Sequence, residues 1–207
     1  MTNLLKKIYL DNKEFLTTKD VRRYCKPRKL DYDNIVKYFE ERGYFVRIFR
    51  GIFYVRDYEE IKLGRARYNH RELVAKGMEL KGVKNWYFGL HTALKINNMT
   101  HEHFTIEDVL NDSIFRPKPM TIAGYRFKFT KISPSLLNFG IKEKKSIKYS
   151  DPEKTILDFA YIWRYNGMPT AKIAADVSDW AKDISKKKLD RYAVKYPKSI
   201  ARIVEMI

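Results

Sequence analysis

The stretch that decides the fold is Thr17–Val55, which reads TTKDVRRYCKPRKLDYDNIVKYFEERGYFVRIFRGIFYV. Its first part has helical spacing up to about Tyr24, and Pro27 stops that helix because proline disfavours helical backbone in the residue before it. A second helix follows, and then two short apolar runs of strand type joined by Arg50-Gly51. This order predicts a winged helix-turn-helix, an arrangement that places a helix in a DNA groove.

The second helix has one apolar and one polar face. Asp31 is predicted to cap its start, because a side-chain acceptor there satisfies free backbone N–H groups. The spacing of Tyr32, Ile35 and Phe39 indicates the buried face, which leaves Asn34 and Lys37 on the outer face near the helix start. Asparagine pairs with adenine in the major groove, and lysine reaches guanine or phosphate. This helix is therefore predicted to read base edges.

Basic residues surround this helix on both sides. The Arg50-Gly51 turn has a positively charged tip suited to DNA phosphates or the minor groove, and further cations lie in the segment before the second helix. These cations are predicted to supply most of the affinity, since the second helix begins with acidic residues. The residues predicted to contact DNA are Arg22, Arg23, Lys26, Arg28, Lys29, Asn34, Lys37, Tyr38, Arg47 and Arg50.

Composition supports a soluble protein that binds a polyanion. The 207 residues carry a formal charge of +17, with 44% hydrophobic residues, enough to form a core. Lysine and arginine are in excess in both halves of the chain. No apolar run reaches the roughly 18 residues of a membrane span, and no signal peptide is recognised, so a cytoplasmic location is predicted. The single cysteine excludes an internal disulfide framework.

The sequence predicts an α+β fold with two domains. Residues 1–60 form the winged helix-turn-helix, and residues 69–207 form a mixed α+β domain with a helical tail. The charged stretch 57–67 is expected to be a linker or a connecting strand. In the second domain, residues 86–97 are typical of a strand or turn that enters a helix, and the alternation over 121–132 predicts a hairpin or bent strand.

Helices are predicted for the last third of the chain. Ser150 or Asp151 is expected to cap a helix that has Pro152 in its first turn. A later helix is expected to hold Val177, Trp180 and Ile184, and further helical patterns follow to the end of the chain.

Two groups of polar residues admit a catalytic interpretation. His101-Glu102-His103 suggests metal ligands, but no third ligand at metal-site spacing follows, so a polar turn is expected. The charged residues between Asp151 and Asp158 suggest a metal-dependent nuclease. Because Lys154 and Asp158 are four residues apart on a helix, a surface ion pair or cap is expected instead. No catalytic residue, metal or cofactor is predicted.

Three separate stretches resemble one protein family. They are RGIFYV at Arg50–Val55, YFGLHTAL at Tyr87–Leu94 and DPEKTILD at Asp151–Asp158. In this order, and together with the helix-turn-helix, they resemble the AbiEi-type antitoxins and transcriptional regulators of abortive-infection, type IV toxin–antitoxin systems. The resemblance covers most of the chain up to about Gly167.

The resemblance implies a non-enzymatic regulator with two roles. The winged helix would bind inverted repeats in double-stranded DNA of its own promoter and repress the operon, and a basic face of the second domain would support that binding. The protein would also oppose a nucleotidyltransferase toxin, without forming a stable complex with it. Two alternatives remain open: a metal-dependent nuclease with a winged-helix domain, and a winged-helix adaptor for protein interactions.

Overall fold

A computed structural model describes residues 2–207 and shows a mixed α+β chain that divides into two compact units. The first unit comprises the residues up to Gly82 together with Thr121–Gly124, and the second comprises Val83–Met120 and Tyr125–Ile207. The last helix of the first unit is His70–Leu80, although the sequence analysis began the second domain at residue 69.

The first unit combines five helices with a small antiparallel sheet. The middle strand of that sheet, β3, pairs with β1 on one side and with β2 on the other. The register of the β2–β3 pair shifts between Arg47 and Phe49, an irregularity that redirects side chains. The elements are α1 (Thr2–Leu10), β1 (Phe15–Thr17), α2 (Thr18–Cys25), a 3-10 turn (Lys26–Arg28), α3 (Tyr32–Glu41), β2 (Phe45–Phe49), β3 (Ile52–Val55), α4 (Tyr58–Leu63) and α5 (His70–Leu80).

Capping side chains mark where the helices of this unit begin. The Thr17 side chain accepts from the backbone of Asp20 at the start of α2, and Asp31 caps α3 by accepting from the backbone N–H of Asn34. The prediction for 57–67 was wrong, because α4 forms there. Asp57 caps that helix in a box with Glu60, a local pattern that outweighs the high charge of the segment.

The core of the first unit is formed by the apolar faces of its first three helices and the inner face of its sheet. Ile35 and Phe39 are buried as predicted, with 2% and 0% of their surface exposed. Val36 is buried beside them, which widens the apolar face of α3. Tyr32, the third residue predicted for this face, is only partly buried and packs against the core from its edge. These contacts hold α3 against the sheet and leave its other face in solvent.

The second unit is a mixed sheet packed against helices. Its strands lie in the order β7-β5-β4-β9-β8, with parallel pairs β5–β7 and β4–β9 and antiparallel pairs β4–β5 and β8–β9. The elements are β4 (Trp86–Phe88), α6 (Leu90–Ile96), β5 (Ile106–Asn111), β7 (Tyr125–Lys131), a 3-10 turn (Pro134–Leu136), β8 (Ile141–Lys144), β9 (Ile147–Ser150), α7 (Pro152–Tyr165), α8 (Thr170–Ser178), α9 (Lys186–Ala193) and α10 (Lys198–Val204). The short strand β6 (Met120–Ile122) precedes β7, and its last two residues are assigned to the first unit.

The predicted strand-to-helix passage is confirmed as β4–α6, and the alternating stretch 121–132 contains the strands β6 and β7. The helix expected to hold Trp180 and Ile184 ends earlier, at Ser178. Trp180 instead packs its ring on Phe159 of α7, with 4.9 Å between ring centroids, so its burial comes from tertiary contact. No helix within residues 2–207 is both long and apolar enough to cross a bilayer.

Candidate nucleic-acid interface

A polar groove of about 700 Å³ lies between α2, α3 and the β2–β3 turn. Four of the ten residues predicted to contact DNA line it, and they come from four different elements or turns. Three acidic side chains of α3 share the groove with them. The lining residues are Thr18, Arg22, Tyr32, Asp33, Val36, Lys37, Glu40, Glu41, Arg47, Arg50 and Gly51.

The hairpin turn is fixed to the start of α2. The backbone N–H of Thr18 donates to the carbonyl oxygen of Gly51 over 2.8 Å. The Thr18 hydroxyl also lies 3.2 Å from the Tyr32 hydroxyl, which connects this junction to the first residue of α3. Arg50, next to Gly51, is exposed and therefore projects from a turn whose position is set by two helices.

Gly51 is required at this junction for two reasons. Its φ of +74° lies in the left-handed region that other residues avoid. A Cβ at this position would also lie 2.3 Å from the Thr18 hydroxyl oxygen, closer than atoms can approach. A larger residue therefore requires a strained backbone and a shift of the Thr18 side chain or of the turn.

The outer face of α3 carries the two residues predicted to read bases. Asn34 and Lys37 are both exposed, as predicted, and Lys37 lines the groove. Tyr38 is half-buried, with the Arg42 guanidinium 5.5 Å from the centre of its ring. The phenol edge of Tyr38 is therefore partly covered, unlike Asn34 and Lys37.

The basic residues of α2 and the following turn form two groups. Arg22 stacks over Tyr32 at 5.2 Å and lines the groove. Arg23 and Lys26 line an adjacent depression together with Lys19, a cation that the sequence analysis did not select. Lys19 is the second residue of α2 and is exposed beside Arg23 and Lys26. Its place among these cations in the sequence was the signal that could have identified it.

Not every predicted contact residue is free to bind. Arg23 pairs with Asp20 at 3.2 Å, and the Arg28 guanidinium donates to the carbonyl oxygen of Tyr24 over 3.3 Å. Lys26, Arg28 and Lys29 are exposed in and after the 3-10 turn, where Lys29 has a left-handed φ of 50°. These residues lie outside the groove.

Arg47 is bound within the protein. Its Nε and Nη2 atoms each donate to one carboxylate oxygen of Glu40, both over 2.7 Å. Its guanidinium lies 5.4 Å from the centre of the Phe53 ring. The hydrogen bonds to Glu40 raise the pKa of Arg47 above its already high value. Glu40 was not selected from the sequence, because nothing local indicates that it meets β2.

The groove therefore has an uneven charge distribution. Glu40 neutralises Arg47, so that Arg22, Lys37 and Arg50 supply its unpaired positive charge. Asp33 and Glu41 oppose them, and neither carboxylate has an ion-pair or hydrogen-bond partner in the part of the chain that the structure describes. Unpaired positive charge is therefore concentrated beside α2 and the hairpin turn rather than along the whole length of α3.

The histidine segment is solvent-exposed and irregular. His101, Glu102 and His103 are exposed residues without regular secondary structure, in agreement with the predicted polar turn. Among residues 2–207, no group of three or more His, Cys, Asp or Glu side chains is arranged to hold a metal ion. His91, on α6, has its Nδ1 atom 3.0 Å from a carboxylate oxygen of Asp108.

The prediction of a surface pair at Lys154 and Asp158 was wrong, because both side chains are buried, at 0% and 1% exposure. The Lys154 amino group donates to Asp158 over 3.1 Å and to the Tyr196 hydroxyl over 3.0 Å. The Asp158 carboxylate also accepts from the hydroxyl groups of Tyr87 and Tyr196, both over 2.7 Å. Burial lowers the pKa of Lys154, and the neighbouring Asp158 opposes that shift.

The start of α7 is held to α9 by ion pairs and hydrogen bonds. Lys188 pairs with Asp151 at 2.9 Å and with Glu153 at 2.8 Å, and Glu153 also accepts from the backbone N–H of Ser185. The Tyr192 hydroxyl donates to Asp151 over 3.1 Å. The charged residues of the segment Asp151–Asp158 are thus held by internal contacts that join α7 to the C-terminal helices.

Comparison with known proteins gives a fold relationship. No protein-family model matches the chain, and no curated protein matches it. Among solved structures, the chain is similar to the RV2827C protein from Mycobacterium tuberculosis, with a TM-score of 0.60 and 12% identity. The match covers 99% of this chain and 76% of that protein. At this identity the similarity concerns the fold alone, and it agrees with the α+β class.

Proposed function

We propose that the first 60 residues form a winged helix-turn-helix that binds double-stranded DNA. The observation that supports this most directly is the hydrogen bond from Thr18 to Gly51. It fixes the Arg50 turn beside the exposed face of α3, so that a cationic loop and a helix border one groove. A helix with an adjacent hairpin is the arrangement by which such domains contact the major groove and the neighbouring backbone.

Each part has a distinct role in this proposal. The N-terminal half of α3 enters the major groove, where Asn34 is positioned to pair with an adenine edge. Arg22 and Arg50 contact phosphates on either side, which fixes the register without selecting a sequence. Lys37 lines the same groove and is long enough to reach a phosphate or a base.

The wider biological role is proposed from the family resemblance. The stretches Arg50–Val55, Tyr87–Leu94 and Asp151–Asp158 resemble those of AbiEi-type regulators, so the proposed target is an inverted repeat in the protein's own promoter. The proposed second role is that of an antitoxin that opposes a nucleotidyltransferase toxin without a stable complex. The binding groove supports only the first of these roles.

An electrophoretic mobility-shift assay tests DNA binding. The probe is the promoter region upstream of the gene, with excess non-specific DNA, over a series of salt concentrations. The expected result is a specific shift whose affinity falls steeply with salt, because bound cations release counterions from DNA. The triple variant Arg22→Ala, Lys37→Ala, Arg50→Ala is expected to lose the shift.

A matched variant controls for the loss of charge. It removes three positive charges, as the groove variant does, but from exposed positions of the second unit. Its substitutions are Lys144→Ala, Lys172→Ala and Lys182→Ala. If both triple variants weaken binding equally, the loss follows the total charge and gives the groove no special role. If wild type gives no specific shift at moderate salt, the DNA-binding proposal is wrong.

Growth tests the antitoxin role separately. The neighbouring nucleotidyltransferase gene is expressed from an inducible promoter, with and without this protein supplied from an unrelated promoter. Restored growth supports the antitoxin role, and restored growth without co-purification supports action without a stable complex. Growth arrest that persists in the presence of the folded protein contradicts the role.

A further inference from the structure

We propose that Arg47 reads a guanine base and that Glu40 is the positioning residue that holds it for this task. The inference rests on the proposed DNA binding and assigns a base to one residue of the groove. From the sequence, Arg47 is expected to contact DNA beside the hairpin turn, which suits phosphates or the minor groove. Its pairing with Glu40 points to a different use.

The guanidinium group of Arg47 has free donors in a fixed arrangement. A guanidinium carries five N–H donors in one plane. Two of them, on Nε and Nη2, are used by the Glu40 carboxylate at 2.7 Å each. The remaining Nη1 and Nη2 hydrogens point away from Glu40, and they have no hydrogen-bond partner among the described residues. Arg47 therefore presents one end with two parallel donors, while half of its side chain is exposed.

The Arg47 side chain is held in one position. Both oxygens of Glu40 hold one edge of the guanidinium, and the Phe53 ring lies against its face at 5.4 Å. The register shift in β2 directly after Arg47 turns the strand at this point. An arginine held in this way has already lost the side-chain freedom that binding would otherwise cost. A fixed donor pair suits a base edge, whose position is also fixed.

The net charge of the ion pair also favours a base over a phosphate. The Arg47–Glu40 pair has no net charge, so its attraction to a phosphate is largely cancelled by the carboxylate. Hydrogen bonds to neutral acceptors on a base depend less on net charge. Guanine presents two such acceptors, O6 and N7, at the spacing of one guanidinium end in the major groove. Because Arg47 is bonded to α3, the helix proposed to enter that groove, these are the base edges within its reach.

Selection from a random pool of 20-base-pair duplexes tests the assignment. DNA is enriched at one fixed salt concentration with each of four proteins: wild type, Arg47→Ala, Glu40→Gln and Glu41→Gln. Wild type is expected to enrich a motif with a required G·C pair. Arg47→Ala is expected to lose the preference at that pair alone, with a loss of affinity on the order of 10- to 100-fold for the wild-type motif.

Replacement of the selected guanine by 7-deazaguanine separates base from phosphate contact. It removes the N7 acceptor and leaves the backbone unchanged. Wild type is expected to bind the substituted duplex at least several-fold more weakly than the original, whereas Arg47→Ala binds both equally. If wild type binds both equally, Arg47 does not read guanine at N7 and the inference is overturned.

Glu40→Gln supplies a readout for the positioning role. The amide removes the charge that holds Arg47, so the freed guanidinium is expected to bind phosphates. Non-specific affinity should then rise, and the slope of log affinity against log salt should steepen by about 0.9. Glu41→Gln is the matched control, because Glu41 is an adjacent groove carboxylate without a partner among residues 2–207. Glu40→Gln is also expected to lose discrimination at the G·C pair, whereas Glu41→Gln is expected to keep it. If Glu41→Gln loses that discrimination to the same extent, the Arg47–Glu40 ion pair has no positioning role.

The outcomes distinguish this inference from the proposed function. If wild type enriches a motif and Arg47→Ala enriches the same one, Arg47 has no reading role and DNA binding stands. If wild type enriches no motif, the inference fails, and retained salt-dependent binding to any duplex still supports a DNA-binding protein. Thermal unfolding of each variant verifies that the losses do not come from misfolding.

Discussion

The backbone N–H of Thr18 donates to the carbonyl oxygen of Gly51 over 2.8 Å, and this bond ties the hairpin turn to the first residue of α2. The two residues are 33 positions apart in the sequence, so the contact is made only when the sheet and helices are assembled. Arg50 precedes Gly51, and its position relative to α3 depends on this contact. The proposed wing is thus part of the packed unit.

Gly51→Ala is expected to destabilise the first unit by about 1–3 kcal/mol, because the left-handed backbone is strained for alanine and its Cβ overlaps the Thr18 hydroxyl. Urea unfolding followed by circular dichroism measures the loss. Gly64→Ala is the control, since Gly64 also has a positive φ, +62°, but a Cβ there has no heavy atom within 4 Å. Equal losses in the two variants would show that the contact with Thr18 contributes nothing.

Arg50→Ala is expected to weaken binding to all DNA sequences alike, because a phosphate contact carries no sequence information. The slope of log affinity against log salt should decrease by about 0.9, the contribution of one phosphate contact. Fluorescence anisotropy with two unrelated duplexes at several salt concentrations measures both quantities. A loss confined to one duplex would assign Arg50 to a base.

Asn34→Ala is expected to relax discrimination at one base pair, at a cost of about 1–3 kcal/mol for the preferred sequence. The physical reason is the loss of a bidentate amide contact with adenine, while the phosphate contacts remain. Binding to a set of operator duplexes, each changed at one position, measures the effect. Unchanged discrimination at every position would place the N-terminal half of α3 outside the major groove.

Lys154→Met is expected to destabilise the protein by about 3–5 kcal/mol, because it leaves Asp158 buried without its charged partner. Lys172→Met is the matched control. Lys172 also pairs with an aspartate four residues later on a helix, but its side chain is 61% exposed. Exposed pairs of this kind contribute about 0–1 kcal/mol. Chemical denaturation of both variants compares them, and similar losses would contradict the importance of burial.

Glu153 should make stability depend on acid pH. Burial raises the pKa of Glu153, but hydrogen bonds from Lys188 and from backbone N–H groups outweigh it, so the pKa lies below the usual value of 4.5. The folded state then holds this proton less tightly than the unfolded state. Its contribution is fully present well above pH 4.5 and is lost as the pH falls through the lower folded pKa.

The comparison of wild type with Glu153→Gln isolates this contribution. The free energy of unfolding is measured by urea denaturation between pH 7 and pH 3. Wild type is expected to lose more stability than the variant below pH 4.5, because the amide does not titrate. Parallel pH profiles of the two proteins would show that Glu153 has the same pKa in both states.

Local chemistry explains where prediction from sequence succeeded. Asp31 and Asp151 cap their helices, because an acceptor side chain satisfies the first N–H groups whatever the rest of the chain does. The predicted hairpin turn at Arg50 and Gly51 forms for a similar reason, since glycine permits its positive φ. The prediction failed for residues 57–67, where the capping box of Asp57 is equally local but was not recognised.

Long-range contacts at the candidate site could not be predicted from the sequence. The contact of Arg47 with DNA stays a prediction, and its pairing with Glu40 depends on how β2 packs beside α3. Lys154 and Asp158 are spaced like a surface pair, yet Tyr87 and Tyr196 come from 67 and 42 residues away to enclose them. Helical spacing is the same for exposed and buried pairs, so it carries no information on which of the two forms.

The sequence by itself determined the α+β class, the order of most elements and the excess of positive charge, because these depend on composition, periodicity and neighbouring residues. Only the tertiary structure decided which charges remain unpaired. It neutralises Arg47, buries Lys154 and leaves Arg22, Lys37 and Arg50 to border one groove. The physical reason is that the pairing of a charge depends on side chains that are distant in the sequence and are brought together only by folding.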